Sequence, residues 1–524
     1  MFGAAVVAAV LGGAPVAATP VTAYKQAVAE SVSRSDKLAQ YYRARDFAPI
    51  WTGADEASRD RRAALLAAFD LAAPHGLPEG KYDAAALRAR MAAAVTPRDR
   101  GLLEVELSRI FLDFATDLQT GILTPSQVIA DIHREVPLRD ASEYLDGIQG
   151  ENPGAFIRKL PPSHPEYARL LKAKLDLERR LGTGGWGPTV PMAKLEPGDE
   201  GRNVVLLRNR LIAMGYLPRS VSTRYDAQMQ EAVQEFQRDH GLNADGVAGD
   251  GTLTEVNVAM EDRLKSIVVA MERERWLNRP LGDRHILVNL TDFHARIVDY
   301  GKVTFKTRSV IGKNASDRRS PEFSDVMEHM VINPTWNVPR SIATKEYLPQ
   351  LQQNPWSNGH LRITDARGQI VDRGAVNFAA YNARNFPFDL KQPPSERNAL
   401  GLVKFMFPNQ YNIYLHDTPQ KSLFAREERD FSHGCIRLAD PFDFAYALLA
   451  RQTADPKGYF HSVLQTGRET TVPLDVPVQV HLIYRTAVSE AKGRMNYRRD
   501  VYGRDAQIWD ALEQAGVSLP AVRG

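Results

Sequence analysis

This sequence is poor in cysteine, in charge of one sign and in long apolar runs. Cysteine occurs once in 524 residues, as Cys435, which excludes an intramolecular disulfide and a cysteine-rich metal site. The 66 Lys and Arg nearly balance the 63 Asp and Glu, for a net charge of +3, so nothing supports a general polyanion binder, although a local basic patch stays open. Beyond residue 20 no apolar run approaches the roughly 18 residues of a membrane span, so no internal span is expected.

Apolar residues are nevertheless 44% of the chain, enough for several cores, and the length is typical of about three domains. At the start, an apolar block at Ala4–Leu11 precedes small residues that suit signal-peptidase cleavage near Ala17–Ala23. We therefore expect residues 1–23 to be a signal peptide, although the usual positive segment is missing and a disordered Ala-rich terminus is the alternative. A single cysteine in an exported protein suggests a thiol kept for its reactivity.

Residues 24–185 are rich in Ala, Leu and Arg with helical spacing. Between Leu102 and Leu118, apolar residues recur at steps of three and four, which places them on one helix face. No constellation in this region suggests chemistry, so we expect a helical scaffold domain. The Gly- and Pro-rich stretch Thr183–Pro191 is typical of a linker.

Residues 194–258 have the pattern of a compact unit of three helices. One amphipathic helix ends at Gly215, a second is capped by Asp226 and ends at Gly241, and a third begins near Thr252. On spacing alone, a structural spacer is the alternative to a binding unit, and no metal-ligand cluster is visible here.

The pattern changes after Pro280. A helix is expected over Leu264–Trp276, and the short β-branched runs from Ile286 to Ile332 predict a meander of antiparallel strands. Further strands are expected at Leu402–Phe407, Asn412–Leu415 and Val478–Tyr484. We therefore expect residues 262–510 to form a mainly-β domain with peripheral helices, followed by a tail over residues 511–524.

The only thiol lies in the segment Ser432–Arg437. Gly434 allows close approach of the backbone to a substrate, and the N–H groups of Gly434 and Cys435 are candidates to bind an oxyanion. A thiol with a pKa of about 8.5 is mostly protonated at neutral pH and needs a base, for which imidazole is suited. His416 ends an apparent strand and is the first candidate; His433 competes with it, because the spacing from Cys435 does not exclude it.

Two stretches of the sequence resemble known families. The pattern over residues 195–258, from LxxGDEG to DGVxGxGTL, resembles the three-helix type of peptidoglycan-binding domain. His416, fifteen residues and then Ser432-His433-Gly434-Cys435 resembles the catalytic signature of the L,D-transpeptidases, whose catalytic domain has the YkuD-like fold. Likeness to the YcbB type extends to several other segments: Met271–Leu277, Asn333–Pro349, Asn398–Asn409, Ile413–Pro419 and Ser432–Leu438.

The resemblance implies a multidomain α+β protein. It would consist of an N-terminal all-α scaffold, a small peptidoglycan-binding-like domain and a mainly-β YkuD-like catalytic domain. A capping lid would run over about residues 338–397, begun by Trp336 and Asn337, and the composition of Leu348–Trp356 suits an irregular, mobile cover.

Residue by residue, the resemblance implies that Cys435 is the nucleophile and His416 the general base. The amides of Gly434 and Cys435 would hold the oxyanion, with Tyr414 as a further candidate. The remaining candidates for substrate contacts are Ser432, His433, Arg437, Trp336 and Asn337, with Arg437, Arg397 and Lys404 as candidate partners of a substrate carboxylate.

The activity implied is formation of 3–3 crosslinks between the diaminopimelate residues of peptidoglycan stem peptides, through a Cys thioester and without cofactor or metal. The expected partners are tetrapeptide donor and acceptor stems, carbapenem inhibitors and other wall-synthesis proteins, but not nucleic acid, and the expected location is the periplasm. Alternatives on the same site are an L,D-carboxypeptidase, an amidase or an enzyme that anchors proteins to peptidoglycan. A wall-binding scaffold with an inert thiol and a general cysteine peptidase are the rivals from other classes.

Overall fold

The computed structural model describes residues 22–32, 37–489 and 494–519, so the expected signal peptide lies outside the described residues except for its last two positions. The chain divides into two compact units. Of the described residues, the first unit comprises those up to residue 73 with 79–117 and 138–160, and the second comprises 74–78, 118–137 and those from residue 161 onward. The expected scaffold region 24–185 is therefore divided between them. In the described part of the chain, no helix combines the length and apolarity needed to cross a bilayer.

Helices α1 to α13 precede the first strand, and the later helices lie between or after the strands, which confirms the predicted order of a helical and a mainly-β region. The helices are α1 (Ala23–Ser31), α2 (Lys37–Ala44), α3 (Glu56–Phe69), α4 (Ala84–Ala93), α5 (Pro97–Thr120), α6 (Pro125–Val128), α7 (Ala141–Ile148), α8 (Pro153–Arg158), α9 (Pro165–Leu181), α10 (Arg202–Met214), α11 (Ala227–Asp239), α12 (Asp250–Asn257), α13 (Met260–Trp276), α14 (Arg340–Ile342), α15 (Leu348–Gln353), α16 (Pro441–Leu449), α17 (Pro456–Leu464) and α18 (Arg504–Gln514). The strands are β1 (Arg284–Asn289), β2 (His294–Asp299), β3 (Lys302–Gly312), β4 (Phe323–Ile332), β5 (Trp336–Asn337), β6 (Arg362–Thr364), β7 (Asp389–Gln392), β8 (Val403–Met406), β9 (Leu415–His416), β10 (Asp430–Ser432), β11 (Ile436–Leu438), β12 (Thr470–Ile483), β13 (Ala487–Ser489) and β14 (Met495–Tyr497).

The first unit is helical, and a buried carboxylate on its helix α5 accepts hydrogen bonds from the segment that follows α2. Glu104 on α5 has no solvent exposure. It accepts hydrogen bonds from the Tyr42 hydroxyl (2.8 Å) and from the backbone N–H groups of Ile50 (2.7 Å) and Thr52 (2.9 Å). Burying a charge is tolerable only with such donors, so Glu104 fixes the connections of a scaffold. The surrounding core is apolar: Trp51, Leu65, Phe69, Leu107, Phe111 and Phe114.

Helices α10, α11 and α12 form the three-helix unit that the sequence predicts. Asp226 accepts a hydrogen bond from the Met229 N–H (2.9 Å) and caps α11. Gly215 follows α10 with φ +89°, a conformation that favours glycine at a helix end. The predicted cap and helix end are thus confirmed, and the three helices share one core: Val204, Leu207, Leu211, Met229, Val233, Phe236, Leu253 and Val256.

The mainly-β region is built on one closed ladder of strands. Neighbours follow the order β3-β11-β9-β8-β4-β12-β1-β2, and β2 pairs with β3 again, while β10 adds to β3. The pairs β1–β12, β9–β11 and β3–β10 are parallel. Alternate residues of the strands point into one apolar core, which includes Ile286, Val288, Ile297, Ile311, Phe405, Leu415, Ile436, Leu438 and Val480.

The predicted antiparallel meander is wrong beyond its third strand. β1, β2 and β3 are antiparallel neighbours as predicted, and β3 merges two of the predicted runs into one strand. β4, however, pairs with β12 and β8 and not with β3. Alternation predicts that a segment is a strand, but its neighbours depend on segments far away in the chain.

Residues 336–397, called the lid here, include the expected segment 338–397 and form a folded subdomain, not the irregular cover that the composition of Leu348–Trp356 suggested. β5, β7 and β6 form a separate antiparallel sheet. Helices α14 and α15 flank a π-helical segment, Ala343–Tyr347. These elements enclose an apolar core of their own: Ala343, Leu348, Leu351, Leu361, Ile363, Phe378, Phe386 and Leu390.

Helix α13 carries charged side chains into the interior of the second unit. Glu272 and Arg275 form an ion pair (2.9 Å) with almost no solvent exposure. Arg273 pairs with Glu322 (2.7 Å), which also pairs with Arg504 (3.0 Å). The charged motif that begins at Met271 is therefore a buried junction between α13, the start of β4 and α18.

The first residues of the expected C-terminal tail are packed against the apolar core of the second unit. Residue 511 lies inside α18, and Leu512 has no solvent exposure. Val517, beyond the helix, is also buried in the cluster formed with Trp276 and Ile508. The prediction of a tail from residue 511 is therefore wrong up to residue 519, because apolar residues hold this segment; residues 520–524 lie outside the described part.

Candidate active site

Five reactive or charged side chains lie on one face of the strand ladder. In the parallel pair β9–β11, Leu415 lies opposite Ile436 and His416 opposite Arg437, so Tyr414 is level with Cys435. In the antiparallel pair β8–β9, Lys404 lies opposite His416. Since alternate residues share a face, the face opposite the core carries Cys435, Arg437, Tyr414, His416 and Lys404. This pairing places His416, at the end of β9, level with Arg437, two residues after Cys435 in the chain.

The segment before β9 is a turn and not the strand predicted over Asn412–Leu415. The Asn409 side chain donates to the Ile413 carbonyl (2.8 Å) and accepts from the Ile413 N–H (3.2 Å). Asn412 takes the left-handed conformation, with φ +54°, and its carbonyl accepts a hydrogen bond from the Cys435 thiol (3.4 Å). The turn therefore places a carbonyl acceptor beside the sulfur.

The Cys435 thiol is protonated at neutral pH. Burial raises its pKa to about 11, while hydrogen bonds from the backbone and hydroxyl of Tyr414 and the charges of Arg437 and Lys404 act in the opposite direction. The same sulfur contributes to a raised pKa of the Tyr414 hydroxyl, whose main cause is burial. The resting site therefore holds a neutral thiol, which requires a base at the moment of attack.

His416 lies on the same strand face, as a buried, neutral imidazole. It is only 4% exposed, and its Nδ1 contacts the Asp417 carbonyl (2.5 Å). A carbonyl can only accept, so Nδ1 carries the proton and Nε2 keeps its lone pair. Burial, followed by the charge of Arg437, lowers the His416 pKa to about 3. The Asp417 carboxylate is held in turn by the Leu402 N–H (2.9 Å) and Lys421 (2.7 Å).

The backbone at Gly434 and Cys435 presents two N–H groups without acceptors. Among the described residues no hydrogen-bond partner accepts from either N–H. Gly434 has φ +110°, where side chains are strained, and an added Cβ would lie 3.1 Å from the Ile413 side chain. Glycine is therefore required here, and the paired N–H groups have the form of an oxyanion-binding site.

Arg437 offers a donor toward the same face. One of its terminal nitrogens donates to the Gln420 side chain (2.6 Å). Its buried Nε has no hydrogen-bond partner among the described residues. Burial lowers the pKa of its guanidinium and the charge of Cys435 opposes that shift. An unpartnered donor of a charged group on this strand suits a carboxylate.

His433, the rival base, is engaged by the lid. Its Nε2 lies 2.7 Å from the Glu346 carboxylate, which also accepts a hydrogen bond from Arg318 (2.8 Å). Ser432, beside it in the chain, is buried on β10 and its carbonyl accepts from the Lys313 N–H (2.8 Å). His433 thus has a partner in Glu346, whereas His416 lies on the strand face that carries Cys435.

Of the other predicted substrate contacts, Trp336 and Asn337 belong to a separate sheet, whereas Lys404 lies on this strand face. Trp336 and Asn337 form β5, the first strand of the lid sheet, and the Trp336 ring packs 6.3 Å from the ring of Tyr347. Arg397 is exposed at the end of the lid. Lys404 is on the face, 5.9 Å from the Tyr414 ring, and burial lowers its pKa.

Sequence reasoning assigned no role to three residues near the site. Asn409 organises the turn, Glu346 contacts His433, and Ser320 donates to the Gly434 carbonyl (2.6 Å). Each forms hydrogen bonds to a loop. Glu346 and Ser320 bond to residues far away from them in the chain. Within residues 22–32, 37–489 and 494–519, no cluster of three or more His, Cys, Asp or Glu is arranged to hold a metal ion.

Comparison with known families agrees with this geometry. The family described as "L,D-transpeptidase catalytic domain" matches residues 283–470, and that described as "Scaffold domain" matches residues 36–173. The family described as "Putative peptidoglycan binding domain" matches residues 200–255. The chain thus carries an L,D-transpeptidase catalytic domain, a peptidoglycan-binding domain and an N-terminal scaffold domain.

Similar proteins include a "Putative L,D-transpeptidase" of Haemophilus influenzae, 29% identical over 47% of this chain. The "General secretion pathway protein A" of Aeromonas hydrophila is 29% identical over 22% of this chain. The chain spans 51% of the first protein's length and 23% of the second's. Two solved L,D-transpeptidase structures, from Xylanimonas cellulosilytica and Stackebrandtia nassauensis, align over 57% of this chain and 98% and 97% of theirs, with identities of 13% and 15% and TM-scores of 0.18 and 0.22.

Proposed function

We propose that this protein is a peptidoglycan L,D-transpeptidase that forms 3–3 crosslinks through a thioester on Cys435. One observation carries the proposal: Cys435 and His416 share a strand face beside two N–H groups that have no acceptor in the described part. Nucleophile, base and oxyanion donors are the parts that acyl transfer from an amide requires.

The first half-reaction uses the neutral pair. His416 Nε2 takes the thiol proton as Sγ attacks the carbonyl of diaminopimelate in a tetrapeptide donor stem. The carbonyl oxygen becomes an oxyanion, which the N–H groups of Gly434 and Cys435 stabilise. As the amide C–N bond breaks, the imidazolium gives its proton to the leaving amine, so D-Ala departs and the thioester remains.

The second half-reaction joins two stems. A side-chain amine of diaminopimelate in an acceptor stem attacks the thioester, His416 accepts the amine proton and later returns it to the sulfur. The product is a 3–3 amide crosslink and a regenerated thiol. Exclusion of water decides between crosslinking and hydrolysis, and the lid, which contacts the motif loop through Glu346 and His433, is suited to that task.

The strand face that carries Cys435 also has charged groups that would bind a carboxylate of the stem peptide. The Nε of Arg437 has no hydrogen-bond partner among the described residues, and a carboxylate of the stem would satisfy it and fix the donor for attack. Lys404 adds positive charge to the face. The peptidoglycan-binding domain would hold the glycan strands near the site, in the periplasm after removal of a signal peptide. No cofactor is needed, and carbapenems would acylate the same sulfur.

The experiment is a product analysis with purified tetrapeptide muropeptides. We expect mass spectrometry to show a dimer that has lost one D-Ala, and Cys435→Ala to abolish it while thermal melting and binding to peptidoglycan stay unchanged. A monomer shortened by one residue would show that the same thiol has carboxypeptidase activity and does not form crosslinks. Dimer formation by Cys435→Ala would overturn the nucleophile assignment.

A further inference from the structure

Ser320 is a fully buried residue that contacts the motif loop from another part of the chain. Its Oγ accepts a hydrogen bond from the Gly312 N–H (2.9 Å) and donates one to the Gly434 carbonyl (2.6 Å). Because the Gly312 N–H must be the donor, the Ser320 hydroxyl proton is available for Gly434. The direction of the bond to Gly434 is therefore fixed.

The contact acts on the peptide that supplies an oxyanion donor. The Gly434 carbonyl and the Cys435 N–H belong to one planar trans peptide, in which C=O and N–H point in opposite directions. Holding the carbonyl toward Ser320 therefore turns the Cys435 N–H away from Ser320, where no described group accepts it. At φ +110° Gly434 has no side chain that could restrict this rotation instead.

We infer that Ser320 is a positioning residue whose hydroxyl orients the Cys435 N–H toward the oxyanion of the acylation step. The inference rests on the proposed function, because it needs a reaction in which a carbonyl oxygen becomes negative. Ser320 acts through the Gly434 carbonyl, and no described hydrogen bond joins its hydroxyl to the Cys435 sulfur.

A second layer of contacts fixes Ser320. The Tyr502 hydroxyl accepts from the Ser320 N–H (3.3 Å) and donates to the Gly312 carbonyl (2.5 Å). Arg504 donates to the Ser320 carbonyl (2.8 Å) and pairs with the buried Glu322 (3.0 Å). The N–H, hydroxyl and carbonyl of Ser320 thus all have hydrogen-bond partners. These contacts fix the position of the hydroxyl that binds the Gly434 carbonyl.

The test compares two reactions of the same sulfur. Acylation by a donor stem develops an oxyanion, whereas alkylation by iodoacetamide is a displacement at a saturated carbon and develops none. For Ser320→Ala we expect kcat of acylation to fall about tenfold to a hundredfold, less than the roughly 10²–10³-fold loss on removal of an oxyanion donor outright. KM and the rate of alkylation should stay at the wild-type values.

Ser309→Ala is the matched control, since Ser309 is also fully buried and its hydroxyl has no hydrogen-bond partner among the described residues. It should leave both rates unchanged. If Ser320→Ala does not fold, Tyr502→Phe takes its place, with a smaller fall in kcat and the same unchanged alkylation.

Equal loss of acylation and alkylation would overturn the inference, because it would show a displaced sulfur. Unchanged acylation in Ser320→Ala, with an active wild type, would also overturn it and leave the proposed function standing. Wild-type protein that is never acylated would instead overturn the proposed function and this inference together.

Discussion

His416 is buried and Cys435 is half-buried, and each is neutral as a result. Burial raises the thiol pKa to about 11 and lowers the imidazole pKa to about 3. A resting thiolate–imidazolium pair, common in reactive cysteine sites, is therefore disfavoured here. The proton must move during attack, and His416 has the free nitrogen to receive it.

A pH profile tests this assignment. Because the His416 pKa is lowered, the imidazole stays neutral down to acidic pH, and acylation by a carbapenem should be nearly constant between about pH 5 and about pH 8. Alkylation by iodoacetamide needs the thiolate, and below a raised thiol pKa it should rise about tenfold per pH unit over the same range. A midpoint of acylation near the ordinary histidine pKa, or alkylation that levels off below pH 8, would contradict it.

The motif residues could be predicted from the sequence, but the residues that hold the motif loop by hydrogen bonds could not. The segment Ser432–Arg437 contains the sole thiol, and His416 ends a predicted strand, so the sequence alone makes both of them candidates. Ser320 is 114 residues away from Gly434 in the chain and lies in a loop with no repeating pattern. A hydrogen bond between two loops leaves no periodicity, so the sequence carries no signal of it.

At the scale of elements, helices were predicted better than strand neighbours. The α11 cap at Asp226 and the end of α10 at Gly215 depend on residues close in sequence, and both are confirmed. The neighbours of β4 depend on distant segments, and the meander prediction failed there. Charged residues of α13 would ordinarily face water, but Glu272 and Arg273 are buried with partners from other elements.

The lid contact gives a prediction about product choice. Glu346 in the π-helical segment of the lid binds His433 and Arg318, and the neighbouring Lys345 binds Asp317 (2.7 Å). In Glu346→Gln the lid should close less well and admit water, so the ratio of hydrolysed to crosslinked product should rise. The rise should not exceed about fivefold, because a half-exposed pair contributes only about 1 kcal/mol. The ratio is read from muropeptide masses.

Glu396→Gln supplies the control for the lid. It makes the same chemical change at an exposed position of the lid, and it should leave the ratio at the wild-type value. An unchanged ratio in Glu346→Gln would show that the Glu346 contact does not govern access of water. A similar rise in both variants would point to a general effect of lid charge.

At the scale of the whole molecule, composition and motif order predicted the succession of helical, three-helix and mainly-β regions. What they could not predict is where one compact unit ends. Residues 161–185 carry a scaffold-like helical pattern, yet Tyr167 and Leu170 of α9 pack against Ile267 and Met271 of α13 in the second unit. An amphipathic pattern shows that a helix has a buried face, but it does not identify the partner.

The central claim is that Cys435 carries the acyl group and that His416, not His433, primes it. Intact-mass measurement during incubation with a carbapenem tests it most directly. We predict one adduct, located on Cys435, with a rate lowered about 10²-fold or more in His416→Ala and changed little in His433→Ala. An unmodified Cys435, or an adduct that forms normally in His416→Ala but not in His433→Ala, would contradict the account.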